Sequence, residues 1–214
     1  GLHGLGDLAH PLTVAGIEAQ RHAQSYIESQ RTLQAFETRM RNGDSAANPH
    51  AWRREVLDAA TVGTPTTANR YVGWPYTKHE VAVMDVDMSA ALLLATREKA
   101  DALGVGEDRR IYLSGWAYAE DPATVAERAD LSRSVGMAVA GRKALAGAGV
   151  SLSDITGFDL YSCFPSSVRL SCDALGLALD DSRGLTLTGG LPYAGGPASG
   201  YVTHSIAAAY DLLS

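Results

Sequence analysis

The residues best placed for chemistry lie between Asp159 and His204. Tyr161-Ser162-Cys163-Phe164-Pro165 stands where a predicted strand hands over to a predicted helix, and the carboxyl ends of strands are where open α/β sheets hold ligands. Gly189-Gly190-Leu191-Pro192-Tyr193-Ala194-Gly195-Gly196-Pro197 then leads into a further helix. Adjacent glycines permit positive φ or a close approach of backbone to ligand. A helix start presents unpaired N–H groups that favour negative charge, so a thioester oxyanion is one species such a loop can stabilise. The same glycines also serve strand–helix packing, and the residues alone leave both readings open. Tyr161 can donate to a carbonyl oxygen or exchange a proton; its alternative is a core aromatic with a satisfied hydroxyl. His204 shares a helical face with Tyr201, as a site residue or as a packed helical histidine.

Other chemistries are excluded by what the sequence lacks. Gly1, Gly4 and Gly6 have no strand before them, so they do not make a dinucleotide fingerprint. The 188–200 segment lacks the lysine and hydroxyl of a phosphate-binding P-loop. Six histidines are scattered without metal-ligand spacing, so no metal is predicted. Cys163 and Cys172 form neither a CxxC pair nor a bridge framework, which makes a reducing cytoplasm the simplest compartment. Cys163 reads as a small buried residue, and Trp52, Trp74 and Trp116 read as packing anchors. A net charge of −6 argues against nucleic acid as a partner, while leaving room for a small anionic ligand. The longest apolar run, 89–95, is too short to span a membrane.

These residues need elements to carry them. At 214 residues, 46% apolar and 20% charged, the chain has the make-up of a globular protein able to bury a core. Spacing predicts a helix over 12–40, stopped by Asn42-Gly43-Asp44. Residues 48–78, with Pro49, Pro65 and Pro75, read as an irregular excursion with short helices. From residue 85 the pattern alternates. Strands are predicted at 90–95, 110–116, 158–161 and 185–188; helices at 96–103, 131–148, 166–175 and 199–214. Glycines at 104, 149 and 176 close the first three helices. Alternation of this kind calls for a layered α/β domain.

Residues 189–200 resemble the thiolase signature, in which two glycines and a short hydrophobic stretch precede Gly-His-Pro and a small-residue helix start. Gly189, Gly190, Gly195 and Pro197 match it, with Ser199 at the helix start. Tyr161 to Pro165 resembles the Asn-Glu-Ala-Phe-Ala box, or the His-Asp-Cys-Phe form of the sterol-carrier type, anchored on Phe164. Residues 90–103 resemble the first strand and helix of the thiolase C-terminal half. With Pro75-Tyr76-Thr77-Lys78, the whole is most similar to sterol-carrier-protein-thiolase-like proteins of actinobacterial type. The resemblance implies an α/β, thiolase-like layered fold: a helical, loop-rich cap region over 1–84 and a truncated C-terminal βα half-domain over 85–214. It implies a CoA thioester as substrate with no bound cofactor, an acyl-CoA or lipid partner, and pairing with a second copy or another protein through an N-terminal half. Tyr161 and His204 are then the catalytic candidates. Phe164, Gly189, Gly190, Gly195, Gly196, Pro197 and Ser199 would line the substrate, and Lys78 would reach a CoA phosphate.

The departures from the family pattern bear on the reaction. The histidine of Gly-His-Pro, which activates the thiolase nucleophile, is replaced by Gly196. The asparagine or histidine of the oxyanion hole is replaced by Tyr161. Covalent thioester chemistry needs a nucleophile and a base to activate it, so the family's Claisen condensation is not expected at this site. The resemblance leaves three readings: a thiolase-like acyltransferase with a degenerate site, a retro-aldol lyase on a β-hydroxyacyl-CoA in the manner of the steroid side-chain aldolases, and a protein that binds a lipid, CoA ester or partner without turnover.

Overall fold

The computed structural model describes residues 48–214; the helix predicted over 12–40 and its stop lie outside the described residues. Five α-helices and one hairpin follow in order: α1 (Ala59–Gly63), β1 (Tyr71–Gly73), β2 (Tyr76–Thr77), α2 (Arg97–Ala102), α3 (Val135–Ala148), α4 (Pro165–Leu175) and α5 (Tyr201–Leu213). Short 3-10 turns at Lys78–Glu80, Leu152–Asp154 and Ala198–Gly200 join them.

The helices begin and end where local chemistry dictates. Thr96 caps α2 by accepting from Lys99 N at 3.2 Å, and Ser134 caps α3 by accepting from Met137 N at 3.0 Å. That cap is why α3 starts at Val135 rather than at 131. Pro165 occupies the first position of α4, where its missing N–H removes no hydrogen bond. Gly149 and Gly176 close α3 and α4 in the left-handed conformation.

α3 packs on α4 with the Leu175 side chain seated against Gly141. The inward face of α4 supplies Val168 and Cys172 to a core completed by Leu177 and Leu185, with Phe158, Leu160 and Leu179 around it. Burying a side chain such as Val168, which has no exposed surface, is worth roughly 1.5–3 kcal/mol.

The four predicted strands do not form ladders among the described residues. Leu93 and Leu94 are 89% and 82% exposed, and Leu113 is also open to solvent. The 110–116 segment lies against α3, where a Cβ at Gly115 would come 2.8 Å from Ala148 N. Residues 158–161 and 185–188 meet through one backbone bond, Leu160 N to Leu185 O at 2.9 Å, and through side chains. An apolar run signals burial but does not supply the N–H and C=O partners a ladder needs. Trp52, Trp74 and Trp116 are half-exposed or more, so they are not the buried anchors the sequence suggests.

The sheet that does form is the antiparallel β1–β2 hairpin, inside the stretch predicted to be irregular. Asn69 fixes it to α1: its Nδ2 donates to the carbonyls of Thr61, Val62 and Thr64 at 3.1, 2.8 and 3.0 Å, and its Oδ1 accepts from His79 N at 2.9 Å. No helix among the described residues is long and apolar enough to cross a membrane.

Candidate functional site

The predicted site region is organised on Asp159. Its Oδ1 accepts from Thr186 Oγ1 and Leu187 N, each at 2.8 Å, and from Thr188 N and Oγ1 at 3.2 and 3.1 Å. Its Oδ2 accepts from the Tyr201 hydroxyl at 3.3 Å and from the Ser205 hydroxyl. The two threonines pass the network on. Gly189 N donates to Thr186 Oγ1 at 2.9 Å and Gly190 N to Thr188 Oγ1 at 3.3 Å. The amides of both buried glycines are therefore committed to the protein, and their positive φ values (99° and 81°) serve this turn.

Tyr161 lies two residues beyond Asp159 and is 43% exposed. Its ring meets the buried Tyr201 ring edge-on, with centroids 5.1 Å apart at 61°. Partial burial and the hydrogen bond with Cys163 push the Tyr161 phenol up to about 12. At neutral pH it is protonated, which makes it a hydrogen-bond donor and a weak base. Burial and the Asp159 carboxylate push the Tyr201 phenol up as well. Cys163 is half-buried with Sγ 3.2 Å from Ser167 Oγ. The fully buried thiol is instead Cys172, which burial pushes up to about 12. Phe164 packs its ring on the buried Tyr76, centroids 5.7 Å apart.

The glycine-rich loop is bonded on two sides. Ser162 Oγ accepts from Leu191 N at 2.9 Å. Residues 82 and 83 bridge it to the Tyr161 box, through Ala82 N to Cys163 O (3.0 Å), Val83 N to Leu191 O (3.2 Å) and Gly196 N to Val83 O (2.8 Å). On the other flank Trp52 N and Arg53 N donate to Ala194 O and Tyr193 O, and the Tyr193 hydroxyl donates to His79 O at 3.0 Å. Gly195 has φ 115°, a conformation closed to most L-residues. Gly196 is buried, and a Cβ there would sit 3.0 Å from Ala82 Cβ and 3.3 Å from Val83 O.

These contacts tie Gly189, Gly190 and Gly196 to the segments on either side of Tyr161, whose own ring meets Tyr201; Gly195 precedes Gly196 in the same loop, and Phe164 is next in chain to Cys163. Pro197 is half-buried, Ser199 is exposed on the turn before α5, and Lys78 is exposed beside His79. His204 Nδ1 lies 3.0 Å from Gly200 O; a carbonyl only accepts, so Nδ1 carries the proton and in the neutral ring Nε2 holds the lone pair. That Nε2 and Ser166 Oγ are buried without a partner among the described residues.

Among solved structures the chain matches a monomeric SCP2-thiolase like protein type 1 (STLP1) from Mycobacterium smegmatis, with a TM-score of 0.85 and 35% identity over 99% of this chain. This chain belongs to the SCP2-thiolase-like proteins. It covers 46% of that structure's chain, about half its length. A second structure, the Ltp2–ChsH2(DUF35) aldolase, is alike in fold at a TM-score of 0.64 and 16% identity, with 92% of this chain and 54% of that chain covered. No family model and no curated protein matches. Within this SCP2-thiolase-like chain, sequence reasoning missed the roles of Asp159, Ser162 and Tyr201. The available signal was the pair Thr186 and Thr188 directly before Gly189-Gly190, since short hydroxyls beside a glycine turn commonly bond its amides.

Proposed function

We propose that this chain is the C-terminal part of a layered α/β thiolase-like protein that binds acyl-CoA thioesters in the cytoplasm. In this reading Tyr161 hydrogen-bonds the thioester oxygen. The observation that carries it is the half-exposed Tyr161 phenol, kept protonated and braced by the ring of Tyr201. A donor fixed in place before the ligand arrives is what oxyanion stabilisation requires. In this reading Phe164 and the loop from Gly189 to Pro197 would surround the acyl group, and Ser199 and Lys78, both exposed, would meet the CoA moiety. Acyl transfer through a base at position 196 is not part of the proposal, because glycine has no group to take a proton.

A second reading is retro-aldol cleavage of a β-hydroxyacyl-CoA. It draws on the fold likeness to the Ltp2–ChsH2(DUF35) aldolase and on the Tyr161–Tyr201 pair. Tyr161 would then stabilise the enolate oxygen formed as the carbon–carbon bond breaks, with His204 as the candidate group for the β-hydroxyl proton. A partner protein in the whole assembly belongs to this reading.

Calorimetric titration with acetyl-CoA, a longer acyl-CoA and free CoA tests both, repeated with Tyr161→Phe. Saturable acyl-CoA binding that weakens about fivefold in the variant, the worth of one hydrogen bond near 1 kcal/mol, supports the site. An absence of binding to all three ligands removes the acyl-CoA reading. Release of an aldehyde or ketone from a β-hydroxyacyl-CoA selects the lyase.

A further inference from the structure

We infer that Asp159 is the positioning residue of this site: acting through Tyr201 it fixes the Tyr161 phenol, and acting through Thr186 and Thr188 it fixes the Gly189-Gly190 turn. The inference rests on the reading of Tyr161 as the ligand's donor.

The argument begins with the backbone. Along an extended segment side chains alternate between faces, so residues two apart share one. Phe158 and Leu160 pack into the core formed with α4, which leaves Asp159 and Tyr161 on the side of α5. There Tyr201 is buried, and its hydroxyl bonds to Asp159, at 3.4 Å to the carbonyl and 3.3 Å to Oδ2, with the Ser205 hydroxyl beside it on the same carboxylate oxygen. The edge of the same ring meets Tyr161. Asp159 therefore anchors one end of a rigid aromatic lever whose body bears on the phenol.

The rest of the carboxylate is saturated. Four donors converge on Oδ1, and Ser205 joins Tyr201 on Oδ2. An acceptor-only group suits this arrangement because every neighbour is a donor. No lysine or arginine pairs with Asp159 among the described residues, so its charge is met by hydrogen bonds from two segments at once, 186–188 and α5. The first leads directly into Gly189-Gly190, and the second carries Tyr201, the ring neighbour of Tyr161. Asparagine in its place keeps the size but puts two donors where two hydroxyls now donate.

A double-variant cycle on acyl-CoA binding tests the inference, with Asp159→Asn and Tyr161→Phe singly and together, and Tyr201→Phe as the milder break of the same link. Asp159→Asn is expected to weaken acetyl-CoA binding about fivefold or more when Tyr161 is present and less than about twofold when it is phenylalanine. Equal losses in both backgrounds overturn the inference, since a merely structural role is indifferent to the Tyr161 hydroxyl. A ligand-free reading runs alongside, using the Tyr161 signal in protein labelled at tyrosine Cζ. That signal is expected to move in both Asp159→Asn and Tyr201→Phe. If it stays put in both, the positioning role falls whatever binds. If it moves while the unaltered protein binds no acyl-CoA, the positioning role stands and the acyl-CoA reading alone is lost.

Discussion

Placing the family's histidine back at position 196 should damage the protein before it restores any chemistry. A Cβ at Gly196 would lie 3.0 Å from Ala82 Cβ, where carbon atoms prefer about 3.5–4.0 Å. The neighbour therefore has to retreat by roughly half an ångström or more. It is poorly free to do so. Residues 82 and 83 are tied to Cys163 O, to Leu191 O and to the Gly196 amide itself by backbone bonds of 3.0, 3.2 and 2.8 Å. A forced shift of this kind costs typically 1–3 kcal/mol, and for a protein of this size about 2 kcal/mol lowers the melting temperature by roughly 4–8 °C. Gly196→Ala is expected to show that loss, and Gly196→His a larger one with no gain of thiolysis. Gly195→Ala is strained for a different reason, its φ of 115°. Thermal and denaturant melts together with a thiolysis assay on acetoacetyl-CoA read all three variants. Full stability in Gly196→Ala, or thiolysis appearing in Gly196→His, would refute the steric account.

Two further variants probe the scaffold around the loop. Burial raises the Glu80 carboxyl above its ordinary value of 4.5, against the lowering effect of its bond from Thr77 N. The folded state then holds a proton that the unfolded state releases, so stability falls as pH rises from about the unfolded value through the raised one. Glu80→Gln is expected to flatten that fall and to be at least as stable as the parent at neutral pH, as read by urea melts at pH 4, 6 and 8; a parent stability that rises over that window contradicts it. Asn69→Ala strips donors from the carbonyls of Thr61, Val62 and Thr64 and an acceptor from His79 N. It is expected to cost about 2–4 kcal/mol in the same melts, and a loss below about 1 kcal/mol would show that the hairpin is held some other way.

The helices of this protein are legible in its sequence because their boundaries are local events. Thr96, Ser134 and Pro165 start three of them, and Gly149 and Gly176 stop two, each through bonds or φ values confined to a few residues. The Tyr161 box, the glycine-rich loop and the thiolase resemblance were legible for the same reason, being runs of neighbouring residues. Strand pairing is not local. Residues 90–95 and 110–116 have the apolar texture of strands yet form no ladder among the described residues, whereas Tyr71–Gly73 and Tyr76–Thr77 pair inside a stretch whose prolines suggested no sheet. The role of Asp159 lay further out of reach. In the sequence it is one acidic residue between two apolar ones; it becomes the centre of the site only when residues 27 to 46 positions away deliver their donors to it. Which amides the glycines keep for the protein was likewise decided by that convergence. Sequence determined the kinds of group present and the local turns that hold them, and tertiary structure decided which groups meet, because a hydrogen bond depends on distance in space and the chain encodes distance only between neighbours.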